Sequence, residues 1–213
     1  MNKKTVALLM ACVLLVGAAI GGTMAWLVDS TGEVTNTFTV GDINITLKEH
    51  DYDPTNKVLI TTGDNCEVTE NDDYHFVPGD TLPKDPFVRV EEKSEACWLF
   101  IKVTENNNIE FTVDATANTK EKALIYNVDT SVWTPVPGHE GYWYCKSDGT
   151  AESETETRNI LEGNIVRFSD YITKDSGLET ALPTITFEAA AIQEAHIADI
   201  IAAWDNLPND FKN

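Results

Sequence analysis

The run Cys97-Trp98-Leu99-Phe100-Ile101-Lys102-Val103 decides the fold class. In an extended chain successive side chains point to opposite faces, so Cys97, Leu99, Ile101 and Val103 share one face and Trp98, Phe100 and Lys102 the other. Both faces are apolar at the start of the run, which predicts a central strand covered on both sides. Shorter runs of period-two alternation surround it, bounded by Gly, Pro, Asn and Asp clusters. They cover residues 37–47, 57–61, 87–90, 109–114, 123–128, 131–135, 142–145, 164–168 and 184–192. In the first of these the apolar set Phe38, Val40, Ile43, Ile45, Leu47 changes phase at Gly41-Asp42, where a bulge or kink would restore one buried face. So many short strands predict an all-β, jelly-roll-like antiparallel β-sandwich. Only the tail has helical spacing: Ile192, His196, Ile200, Ala203 and Trp204 precede Pro208 and predict a short helix over residues 194–206. Residues 63–73 and 146–157 are polar, charged and turn-rich and read as loops.

Composition narrows the function classes. The 213 residues hold 35 Asp and Glu against 15 Lys and Arg, a formal net charge of −20. Phosphate backbones are gripped by Lys and Arg, so this balance argues against a nucleic-acid partner. A 42% hydrophobic content with five tryptophans is too apolar for an acidic disordered chain and requires a core.

The N-terminus reads as an export signal. Lys3 and Lys4 precede an uncharged apolar run that ends in Gly21-Gly22-Thr23-Met24-Ala25. A basic start, an apolar centre and a small-x-small end define a secretory signal peptide over residues 1–25, cut between Ala25 and Trp26. A retained membrane anchor and a lipid-modified Cys12 are the competing readings of the same stretch. Membrane contact is expected only through this peptide, before cleavage. The exported chain keeps Cys66, Cys97 and Cys145. An oxidising compartment could close one pair, with Cys97 and Cys145 the better placed because both lie in strand-like runs; three buried free thiols is the alternative.

Several motifs act together. Gly21 through Asp29 is followed by Asn36-Thr37-Phe38-Thr39-Val40-Gly41-Asp42-Ile43, then by Pro78-Gly79-Asp80-Thr81-Leu82-Pro83-Lys84-Asp85-Pro86. Next come Ser94-Glu95-Ala96-Cys97-Trp98-Leu99-Phe100-Ile101-Lys102-Val103 and Phe187-Glu188-Ala189-Ala190-Ala191-Ile192-Gln193, with Ala203-Trp204 near the end. This set resembles the TasA and camelysin-like proteins of Gram-positive bacteria, whose signal peptides are cut by a dedicated SipW-type peptidase; residues 106–180 carry little of the pattern. The resemblance implies a secreted, non-enzymatic jelly-roll subunit, residues 39–213, of extracellular biofilm matrix fibres. It implies partners that are further copies of the chain and other matrix subunits. It also implies that an N-terminal strand, residues 26–38 with Trp26, Leu27 and Val28 as anchors, completes the sheet of the next subunit. Strand addition at a sheet edge has its own physical basis, because main-chain hydrogen bonds and side-chain pockets act together.

Other functions leave weaker marks. Camelysin-like relatives are described as metalloproteases, but HExxH needs two His one helical turn apart, and His139-Glu140-Gly141-Tyr142-Trp143 has one, in a turn. His50, His75 and His196 are scattered along the chain, and no GxSxG stands anywhere in it. No cofactor is expected, with calcium the exception worth weighing: Asp51 and Asp53 begin like an EF-hand loop but lack its central Gly and closing Glu. A surface binding role for calcium or glycans is the other alternative. Trp133, Tyr142, Trp143 and Tyr144 crowd one neighbourhood, either as a sugar platform or as Trp133 and Trp143 paired across a hairpin turned at Pro137-Gly138.

Overall fold

The computed structural model describes residues 42–71, 74–178 and 182–212. Its strands are β1 (Ile45–Asp53), β2 (Val58–Ile60), β3 (Glu67–Val68), β4 (Thr81–Pro83), β5 (Phe87–Val90), β6 (Cys97–Asn106) and β7 (Glu110–Asp114). They continue with β8 (Thr119–Lys122), β9 (Leu124–Ile125), β10 (Thr134–Pro135), β11 (Tyr142–Ser147), β12 (Glu156–Asn159), β13 (Ile165–Phe168) and β14 (Thr184–Gln193). All pairings are antiparallel. One sheet has the order β12-β5-β1-β2 with β3 also on β1, a second β10-β11-β6-β14, a third β4-β13-β9, and β7 and β8 form a separate ribbon. This is the all-β sandwich that the alternation predicts.

β6 is the strand on which the layers are built. It pairs with β14 over its whole length, from Cys97↔Gln193 to Asn106↔Thr184, and with β11 from Cys97↔Ser147 to Lys102↔Tyr142. Cys97, Leu99 and Ile101 enter the main core, where they meet Val88 and Val90 of β5, Leu82, Val166, Phe168 and Trp133. Trp98 and Phe100, on the opposite face, form a second core with Val136, Ala203, Trp204, Leu207 and Phe211. Both faces of the run are therefore covered. Ile43, Ile45 and Leu47 pack together on the main core, in the phase expected after Gly41-Asp42. Trp133 is fully buried and its indole N–H donates to the Asn159 carbonyl at 2.7 Å, so the largest core side chain brings no unpaired polar atom inside.

The second core is roofed by the C-terminal tail. The expected helix over 194–206 is shorter, α1 (Ile200–Asp205), followed by α2 (Asn209–Lys212). Residues 194–199 cannot join it because Ile192 and Gln193 still belong to β14, and the backbone must turn with His196 at φ 66° before Asp199 starts the helix. The Asp199 carboxylate accepts from the Ala202 N–H at 2.9 Å, an N-cap. Pro208 stops α1, and Phe211 still reaches the core from α2.

Four strands lie where alternation gave none. β3 and β12 fall wholly or partly inside the tracts read as loops, and β4 and β8 were assigned to no element. β12 pairs Arg158 with Val88 while its own side chains stay polar, and among the described residues β8 has β7 as its one strand partner. Such edges form through the backbone and bury little, so they leave no apolar signature.

Candidate functional site

A groove of about 630 Å³ opens between β1 and β14. Leu47, Lys48 and Glu49 form one wall, and residues 182–187 the other. Its apolar surface comes from Leu124, Val166 and Phe168, with Tyr74 and Phe76 from the segment after β3. The sequence places it there for two reasons. Among the described residues β14 pairs only with β6, so its outer edge carries no strand. Alternation along β14 then aims Ile185 and Phe187 into the main core at the border of the groove. Phe76 lies flat on Phe168, centroids 3.6 Å apart and planes at 5°, which fixes the floor.

One wall is charged and buried. Lys84 Nζ lies 2.7 Å from Glu49 Oε2, their side chains only 11% and 8% exposed, and 5.0 Å from the centre of the Tyr74 ring. Tyr74 stacks on Tyr52 at 4.3 Å. Both phenol hydroxyls are buried with no hydrogen-bond partner among the described residues, and burial, reinforced by the Glu49 and Asp85 charges, pushes the Tyr74 hydroxyl well above the ordinary phenol range. Beside the groove Arg89 grips both oxygens of Glu67, at 2.8 and 2.5 Å, and Lys48 adds a third contact at 3.4 Å. The Arg89 guanidinium is the main reason the Glu67 carboxyl is lowered to about 2. The wall is thus charged and fixed in place, while the floor is apolar.

Comparison with protein-family models, with curated proteins and with solved structures finds no match. The reading of the site therefore rests on its own residues.

Ala25, Trp26, Leu27 and Val28, the expected cleavage point and strand anchors, lie outside the described residues, as does the rest of 26–38. Cys66, Cys97 and Cys145 are free thiols. Cys97 faces Ser147 and Cys145 faces Leu99, so the two share a face as diagonal neighbours. Burial pushes the Cys97 thiol up to about 11 and the Cys145 thiol up to about 12. Asp53 is committed to the β1–β2 turn, accepting from the Thr55 and Asn56 N–H groups and the Asn56 side chain. Asp51 accepts from the Tyr52 N–H. Among the described residues no group of three or more His, Cys, Asp or Glu is placed to hold a metal ion. His139 lies against Trp204 at 4.1 Å, and His50 pairs with Asp85 at 2.6 Å.

The aromatic neighbourhood divides in three. Trp133 is core; Tyr142 and Tyr144 pack on the outer face beneath the tail; Trp143 borders a separate cleft. Trp133 and Trp143 do not pair across the hairpin, because Pro135 stands opposite Trp143 and Thr134 opposite Tyr144. Sequence reading missed the groove because its two walls lie some 135 residues apart in the chain, from Leu47–Glu49 to 182–187. The one available signal was the strand pattern at 184–192 with no adjacent partner.

Proposed function

We propose that the chain is a secreted structural subunit of extracellular matrix fibres, assembled by donor-strand exchange, in which the N-terminal strand of one copy fills the β1–β14 groove of the next. The observation that carries this reading is the groove itself: core side chains open to the outside beside a strand edge that is unpaired among the described residues. A polypeptide strand satisfies both needs at once, bonding to the edge and burying alternate side chains on the floor. Residues 26–38 supply such a strand, with Trp26, Leu27 and Val28 as anchors and a polar stretch before Phe38. Signal cleavage would free it, which makes processing the trigger. The donor segment and the groove are different surfaces, so the contact is head-to-tail, and a head-to-tail contact that does not close gives a filament. The resemblance to TasA and camelysin-like proteins supports the same reading.

The test is deletion. Protein beginning at Trp26 should form fibres visible by electron microscopy, and protein lacking residues 26–38 should elute as a folded monomer with an unchanged circular dichroism spectrum. Fibres of equal yield from the shortened protein would refute the proposal.

A further inference from the structure

The β11 strand stops before β6 does. Its last pair is Tyr142↔Lys102, the Val103 N–H then donates to the Gly141 carbonyl at 2.8 Å, and beyond it the chain turns away while β6 runs on to Asn106. Gly141 makes the turn at φ 81°, and a Cβ there would stand 3.2 Å from the Val103 oxygen. The uncovered end of the sandwich is a cleft of about 760 Å³, within the range of small-molecule sites; its Val103, Thr104 and Glu105 pair across the β6–β14 ladder with Phe187, Thr186 and Ile185 of the groove, so the two sites neighbour each other with different linings. Its floor is Val103, Val128, Tyr126 and the half-buried Trp143.

The rim mixes signs. Glu105, Glu140 and Glu162 stand among Lys102, Lys122 and Asn127. Lys122 is paired with Glu105 at 2.8 Å and Lys102 with Glu188 at 3.3 Å, so the rim has no excess of cations to offer an anion. Glu105 is fixed as an acceptor by Tyr126 Oη at 2.7 Å, Lys122 Nζ at 2.8 Å and Asn108 Nδ2 at 3.0 Å. A carboxylate has about four acceptor positions, so it retains capacity for a ligand hydroxyl. The Asn127 amide donates to Glu162 at 3.2 Å and keeps its oxygen and second N–H.

We propose that this cleft binds a neutral oligosaccharide of gluco configuration. Equatorial hydroxyls leave the faces of such a ring as flat C–H surfaces that lie on an aromatic side chain, while the hydroxyls around its edge both donate and accept. Trp143 and Tyr126 supply the aromatic surface, and the rim supplies fixed partners of both kinds. This inference does not depend on the fibre reading: loss of residues 26–38 leaves the cleft intact.

The experiment is a calorimetric titration of the exported chain with cellotriose and with chitotriose. Saturable one-to-one binding of at least one of them at millimolar concentration or below is expected. Trp143→Leu should abolish it, and Asn127→Ala, an exposed position, should weaken it about tenfold with the thermal midpoint unchanged. The Asn127 variant keeps the test valid if Trp143→Leu fails to fold. Absence of saturable binding by both trisaccharides, or equal affinity in the Asn127→Ala protein, would overturn the proposal. So would competition by an unrelated extended peptide, which would make the cleft a strand acceptor.

Discussion

Trp133 shows how one side chain ties sequence to stability. Its ring is enclosed by the main core and its indole N–H ends on the Asn159 carbonyl. Trp133→Ala leaves a large cavity and an unpaired carbonyl, and should cost about 3–5 kcal/mol in urea unfolding. Glu67 contributes a defined part of the pH dependence. Its folded value, about 2, lies below the ordinary carboxyl value of 4.5, so its contribution is fully present above the unfolded value and fades as pH falls toward 2. Glu67→Gln should lose about 1–3 kcal/mol at neutral pH and nearly nothing at pH about 2, where the native carboxyl is itself half protonated. An equal loss at both pH values would contradict the Arg89 account. Cys97 is buried while Cys66 and Cys145 are half-buried, and the Cys97 and Cys145 thiols are pushed up to about 11 and about 12; Cys66 should react with a maleimide in the native protein, while Cys97 and Cys145 should react fully only after unfolding without reductant. Failure of that pair to react even when unfolded would show a disulfide.

Among elements, β6 was the most legible because both its faces bury side chains, and its period-two pattern survives on each. β5 likewise appears at residues 87–90 as expected, since three of its four residues are buried. The strands that were missed, β3, β4, β8 and β12, are held by main-chain pairing or contribute a single core residue such as Leu82, and a polar edge has the composition of a loop. The tail was over-extended for a similar reason: Ile192 and Ile200 have helical spacing, yet ladder bonds to Trp98 hold Ile192 in β14. α1 is only six residues long and depends on its cap and on Trp204, whose ring meets Phe100 at 6.2 Å and Tyr142 at 4.8 Å. Asp199→Ala should cost about 1 kcal/mol. Trp204→Ala should cost about 3–5 kcal/mol and open the Trp98 and Phe100 face to a hydrophobic dye. No gain in dye binding would mean that the tail does not roof that face.

At the scale of the molecule, the proposed fibre would bring together like-charged chains, each with 13 Lys and Arg against 35 Asp and Glu after signal cleavage, a net charge of −22. Screening therefore matters: raising ionic strength from low to physiological values, where the Debye length falls to about 8 Å, should speed fibre growth without changing the fold. Light scattering against salt measures this, and a rate independent of salt would oppose it. The groove was invisible in the sequence because long-range packing alone brings β1 beside β14, whereas the class of fold was legible from local pattern. The most direct test of the central claim supplies the missing strand separately. A peptide of residues 26–38 is added to protein beginning at Thr39, and amide hydrogen exchange is followed. Saturable binding with slowed exchange along residues 184–187 and 47–49 is the predicted result; binding that protects other segments, or none at all, would contradict it.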